Sequence, residues 1–261
     1  MAKLFESDKM KITIAGYGFV GKAYNALLKD DYKNIQIVDP KFTSERVAQD
    51  TEAVIICVAT PADVNGACNM QHVFEVMDDV PLAAPVLIKS TVSLEGWKEL
   101  LSKYPNHEIT FSPEYLRAAS AVEDLQNTTI LHLSSTGKPY FWCKIFERVM
   151  FNFGSYVADP EVLIMAKYFC NSFLATKVAF FNQVYDLCEA TGIDYNLVAK
   201  HIGSDPRIGR SHIEVTPDRG FGGHCFPKDT AAILKSAEDK NVDLSILREA
   251  VYYNKKIRKS V

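Results

Sequence analysis

Six short apolar runs punctuate the first half of the chain: KITIAG (11–16), IQIVD (35–39), AVIICVA (53–59), PVLIKS (85–90), EITFS (108–112) and TILHL (129–133). Most are rich in Ile and Val and lack strict apolar–polar alternation. That is the pattern of strands covered on both faces. The stretches between them read as helical connections. The pattern predicts an α/β unit over residues 1–155, built on a Rossmann-type doubly wound parallel sheet of six strands. Right-handed crossovers would put the ligand-binding loops at the carboxyl edge of that sheet.

After about residue 155 the pattern turns helical, and residues 156–261 read as a mostly α-helical domain. DPE at 159–161 offers an Asp cap, a Pro at the first helical position and an early Glu. No strong breaker follows before Gly192. The implied helix has about 30 residues and a length of roughly 45 Å. Helices of this length often build dimer interfaces, so a homodimer through the helix starting near Pro160 is expected. A shorter helix is predicted over 195–202. Two more are predicted near 229–240 and 245–258, after a long loop that contains GFGGHCFPKD (220–229).

Composition narrows the classes of function. Hydrophobic residues make up 48% of the 261 and charged residues 23%, which suits a soluble globular protein. A net charge of -3 gives no general attraction to nucleic acid or anionic membranes. No apolar run approaches the roughly 20 residues a membrane span needs. The opening MAKLFESDK has no apolar signal-peptide core and reads as a polar lead-in. The six cysteines are Cys57, Cys68, Cys143, Cys170, Cys188 and Cys225. They form no C-x-x-C pair and have no His at ligand spacing, so no metal site is expected. Cys57, Cys170 and Cys188 sit in apolar segments and are expected to be small buried hydrophobes. The scattered pattern fits reduced thiols in a cytoplasm.

Candidate chemistry begins with GYGFVG (16–21), at the first strand-to-helix turn. Gly16 would allow a tight turn, Gly18 would let backbone approach a pyrophosphate, and Gly21 would let helix and strand pack closely. Phe19 and Val20 complete the loop, and the helix start supplies N–H donors for phosphates. Asp39 ends the second run and would accept hydrogen bonds from an adenosine ribose. A carboxylate there favours NAD over NADP, a preference that Lys41 slightly weakens. Further loops, VATP (58–61), KSTV (89–92) and SPEYLR (112–117), place Thr60, Ser90, Thr91 and Glu114 at strand ends. Each could meet cofactor or substrate, or simply cap a turn.

In the second half, Lys167 and Asn171 are spaced i, i+4 on one face of the long helix, in apolar surroundings. A lysine there is costly unless paired or employed. Cys225 lies among Gly220, Gly222 and Gly223, with Lys228 and Asp229 just after it. Nearby cations and helix N-termini stabilise a thiolate. Asp229 could act as a base or cap the following helix.

Together GYGFVG, KSTV, SPEYLRAASA, AKYFCNSFLATKVAFFNQV, SDPRIG and GFGGHCFPKD resemble the UDP-glucose 6-dehydrogenases, within the wider UDP-glucose/GDP-mannose dehydrogenase group. The resemblance implies a two-step oxidation of a sugar C6 alcohol to a carboxylate with two NAD. It implies Cys225 as the nucleophile that holds the aldehyde and Lys167 as the oxyanion partner. Asn171 and Asp229 would position the C6 oxygen and a water, and Glu114 would serve in base chemistry. Arg207 would reach a nucleotide sugar in the neighbouring subunit, with Phe221, Gly222 and Lys228 also on the substrate side. The sequence departs from the family at Ser112, where Asn is usual, at Ala118, where a substrate-contacting Glu is usual, and in STVSLEG, where STV-P-P-G is usual. The family pattern continues past KKIRKSV into a third domain that binds the nucleotide, and that lobe is expected to lie outside this sequence. Two other readings stay open. One is a non-catalytic NAD-binding dimerisation module acting with a partner chain. The other is a one-step β-hydroxyacid-type dehydrogenase, which leaves the Cys225 motif without a purpose.

Overall fold

The computed structural model describes residues 9–63, 66–151 and 153–259. The polar lead-in falls outside them except for Lys9. The chain divides into two compact units, Met1–Pro61 with Cys68–Lys167, and Ala62–Ala67 with Tyr168–Val261.

The first unit carries β1 (Lys11–Ala15), α1 (Phe19–Leu28), β2 (Asn34–Val38), β3 (Ala53–Ile56), α2 (Gln71–Met77) and β4 (Val86–Ile88). It continues with α3 (Leu94–Lys103), β5 (Ile109–Phe111), α4 (Ala121–Gln126), β6 (Ile130–Ser134), α5 (Pro139–Phe146) and β7 (Gly154–Ala158). The long α6 (Pro160–Thr191) begins in this unit and runs into the second. The second unit continues with α7 (Tyr195–Gly203), α8 (Phe226–Asp239) and α9 (Ser245–Ile257).

Five strands form one parallel sheet in the order β2-β1-β3-β4-β5. The absence of polar alternation has its predicted cause. Ile12, Ile14, Ile55 and Leu87 enter a cluster with Tyr24 and Leu28 of α1, Leu125 of α4 and Trp142 of α5. The alternate residues Val54, Ile56, Val86 and Ile88 are equally buried. Each fully buried Leu or Ile side chain stabilises the fold by about 1.5–3 kcal/mol relative to exposure. The fold is therefore α/β, a Rossmann-type parallel sheet followed by a mostly helical region.

Two expectations about the sheet need correction. The sixth apolar run does not join it. β6 pairs in parallel with β7, a strand the apolar pattern did not mark because Gly154–Tyr156 and Val157 are exposed. Side chains replace the ladder between β5 and β6. The Phe111 N–H donates to Ser134 Oγ at 2.8 Å. Thr110 Oγ1 donates to the Thr136 carbonyl and accepts from the Lys138 N–H, both at 3.0 Å. The second correction is that no helix links β2 to β3. Gln36 holds that segment as an irregular loop, accepting from the Ala48 N–H and donating to the Arg46 carbonyl, each at 3.0 Å.

The helical expectations hold for α6, α7 and α9 within a residue or two. α8 starts three residues earlier than expected, at Phe226, because Pro227 sits in the first turn, where a missing N–H costs nothing. Cys188 is buried as expected, and Cys57 is half-buried just past β3. Cys170 is instead exposed, because it lies on the outward side of α6 beside Phe169 and Phe173. By length and composition α6 could cross a bilayer, yet half of its most apolar window is buried inside the fold. Its buried polar residues Asn171 and Asn182 find partners within the protein, as in a core helix.

Candidate functional site

Strand register builds the carboxyl edge of the first unit. Val38, Ala15, Ile56, Ile88 and Phe111 lie level across the sheet. The next residues along each strand are Asp39, Gly16, Cys57, Lys89 and Ser112, so these five share one edge. The order of strands reverses at β1, which makes the β1/β3 crevice the expected ligand position. Gly16 sits there at φ +89°, and a Cβ on it would stand 2.6 Å from the Val58 nitrogen. A Cβ on Gly21 would run into the Gly16 carbonyl oxygen, while Gly18 faces open space.

α1 begins at Phe19 with no side-chain cap on Gly18, which leaves its first N–H groups to meet an anion. Phe19 and Val20 pack against the core. Asp39 accepts from the Tyr17 N–H at 2.6 Å and the Lys41 N–H at 2.9 Å. Each oxygen keeps a lone pair for a ribose hydroxyl. A phosphate loop, uncapped donors and a fixed carboxylate fit a dinucleotide. Thr60 is buried just past β3 and Thr91 half-buried past β4, both at this edge.

Beside the edge sits a buried ion pair. Lys89 Nζ lies 3.2 Å from Glu114 Oε2, with the lysine side chain 2% and the glutamate 12% exposed. Lys89 also donates to Ser112 Oγ at 3.0 Å and to the Pro113 carbonyl at 3.2 Å. The Tyr24 hydroxyl donates to Glu114 Oε2 at 3.1 Å, and the Tyr115 N–H donates to Oε1 at 2.8 Å. Burial, then the Glu114 charge, pushes the Tyr24 hydroxyl well above its ordinary range, so it remains a donor. Lys167 is buried, bonds to the Glu114 carbonyl and stands 5.0 Å over the Tyr115 ring. A cavity of about 100 Å³ opens here, lined by Lys89, Glu114, Tyr115, Leu116 and His132 among others. Burial, then Lys89, lowers the His132 pKa, which favours its neutral form.

The second unit holds a smaller cluster. Cys225 is the half-buried N-cap residue of α8, and the Asp229 N–H closes the first turn onto its carbonyl at 2.8 Å. Asp229 thus lies inside the first turn and is not the cap. Its carboxylate is 1% exposed and satisfied on both oxygens. Lys228 Nζ stands 2.6 Å from Oδ1, and Asn171 Nδ2 donates to Oδ2 at 2.6 Å. Lys228 is therefore engaged with Asp229. Arg207 is exposed after α7 and forked onto Asp205. Phe221 is buried with Ala175, Ala179 and Ala250, while Gly222 lies against the Arg258 guanidinium. His224 is exposed.

The expected site residues thus gather as an edge group with Glu114 and Lys167 in one unit, and an Asn171–Asp229–Lys228 group beside Cys225 in the other. Sequence reasoning missed Lys89 and Tyr24. The signal for Lys89 was present, since a lysine follows directly on the fully buried run PVLI.

Two family models match this chain. One is described as the UDP-glucose/GDP-mannose dehydrogenase family, NAD binding domain, over residues 41–132. The other is the same family's central domain, over residues 163–256. The glycine loop at 16–21 precedes the first matched range. A UDP-glucose 6-dehydrogenase of Rickettsia felis is 32% identical over 228 residues, covering 82% of this chain and 50% of its own length. That of Rickettsia typhi is 30% identical over 265 residues, covering 96% and 60%. The chain spans about half the length of the curated relatives it matches. Among solved structures, a UDP-glucose dehydrogenase from Pyrobaculum islandicum shares the fold at a TM-score of 0.82 and 23% identity, over 97% of this chain and 69% of that one. A GDP-mannose dehydrogenase from Pseudomonas aeruginosa does so at 0.67 and 21% identity, over 95% and 69%.

Proposed function

We propose, from the premise that this chain belongs to the UDP-glucose/GDP-mannose dehydrogenase family, that it oxidises the C6 alcohol of a nucleotide sugar such as UDP-glucose to the carboxylate. The observation that carries this reading is Cys225 at the start of α8, followed by a buried aspartate held by Lys228 and Asn171. NAD, when bound, supplies the hydride acceptor for both oxidations. In the first, C6 loses a hydride and its hydroxyl a proton, giving an aldehyde. The Cys225 thiolate adds to the aldehyde carbon, so an S–C bond forms and the carbonyl π bond breaks. Loss of a second hydride leaves a thioester. Water cleaves the S–C bond and releases the carboxylate and the thiol. Lys167 supplies an N–H to the oxyanion formed on addition. Asn171 and Asp229 orient the C6 oxygen and the hydrolytic water, and Glu114 accepts a proton. Among the aromatic and aliphatic residues left exposed on α6, Phe173, Phe180 and Leu187 recur every seven positions. We place a homodimer seam there. The six free cysteines suit a cytoplasmic location.

The test is NADH production with UDP-glucose beside GDP-mannose. Two NADH should form per acid, and Cys225→Ala should lose turnover by at least about a thousandfold while still binding NAD. Full activity in that variant would sink the thiol mechanism. NAD binding with no turnover on any nucleotide sugar would favour a non-catalytic module. For the seam, Phe180→Glu should convert a dimer to a monomer in sedimentation. An unchanged sedimentation coefficient would remove α6 from the interface.

A further inference from the structure

We infer that Asn254 of α9 is a positioning residue for the Cys225 loop, with Asn182 of α6 as a second anchor. The inference rests on the reading of Cys225 as the nucleophile. Asn254 is 8% exposed, and its side-chain amide pairs with one backbone unit on both sides. Its Oδ1 accepts from the Phe221 N–H at 2.6 Å, and its Nδ2 donates to the Phe221 carbonyl at 3.0 Å. This reproduces what a neighbouring strand would offer, in a loop that has no ladder.

Asn182 fixes the preceding residue. Its Oδ1 accepts from the Gly220 N–H at 3.1 Å and from Arg219 Nε at 2.8 Å. Its own Nδ2 is anchored one turn back, to the Val178 carbonyl at 2.9 Å. Arg258 completes the set by donating to the Arg219 carbonyl at 2.9 Å. Backbone groups of three consecutive residues, 219 to 221, are thus held by side chains of α6, α9 and the residue that follows α9.

The glycines fit this arrangement. Gly220 has φ +54°, and a Cβ there would collide with Asn254 Oδ1. Only glycine combines that backbone with so close an approach. The Phe221 ring sits edge-on to Phe226, the first residue of α8, with centroids 6.3 Å apart. The tether therefore fixes one end of the short segment Gly222–Cys225, and the α8 start fixes the other. Without it, Gly222 and Gly223 give the segment wide backbone freedom. A small displacement of a reacting group is costly in rate.

The experiment compares Asn254→Ala with wild type in the full chain. Backbone exchange of the Phe221 amide should rise at least about tenfold as its acceptor disappears, with α8 and α9 amides unchanged. Turnover should fall about tenfold to a hundredfold with KM for NAD unchanged. Asn254→Asp keeps the acceptor and loses the donor. It should keep the Phe221 amide protected, show an intermediate rate, and serve as the readout if the alanine variant does not fold. Wild-type turnover in the alanine variant, or unchanged protection of Phe221, would overturn the inference. Cys225→Ala is assayed in parallel. If that variant remains active, the thiol reading fails, while amide exchange still judges the tether.

Discussion

Each unit buries a carboxylate beside a lysine, and the two pairs are built differently. Glu114 and Lys89 come from loops after β5 and β4, with Tyr24 of α1 completing the group, so three distant segments must meet. Asp229 and Lys228 are neighbours in one helical turn, with Asn171 as the distant partner. Lys89 has 2% of its side chain exposed, whereas Lys228 keeps 18%. A lysine with a route to water tolerates loss of its partner, and one without such a route does not. The first pair is thus a commitment of the fold. The second is a local device attached to a helix start.

The largest effect should come from Glu114→Gln, which leaves Lys89 buried without its counter-charge. A cost of about 3–5 kcal/mol is expected, read as a thermal midpoint lowered by roughly 6–20 °C. The double variant Lys89→Met with Glu114→Leu should recover most of that loss. A single variant that melts within two or three degrees of wild type would show that the pair is not energetically buried. Asp229→Asn should cost less, about 1–3 kcal/mol, because Lys228 can turn to solvent and the amide still offers Asn171 an acceptor. Equal midpoints for the two single variants would remove the distinction between the pairs.

Much of this molecule was legible in its residues. Runs of Ile and Val without alternation marked β1 to β5, since strands covered on both faces need no polar side. The Asp–Pro–Glu start and the breaker at Gly192 bracketed α6 almost to the residue. GYGFVG and GFGGHCFPKD stood out as candidate sites by their glycines and charged neighbours. β7 escaped because its exposed GSYVA has no core-facing period. The departure of β6 from the main sheet rests on hydroxyls of Thr110 and Ser134, which no hydropathy pattern registers.

By itself the sequence determined the periods, the glycine turns and the placing of Cys225 close to Lys228 and Asp229 along the chain. These are local properties, set by backbone sterics and by side chains within a few positions of each other. Only the tertiary structure decided that Lys89 meets Glu114 and Tyr24, and that Asn254 reads the backbone of Phe221 across 33 residues. Such contacts depend on strand register and helix packing. Register is fixed cooperatively by the whole core, so no stretch of a few residues contains it.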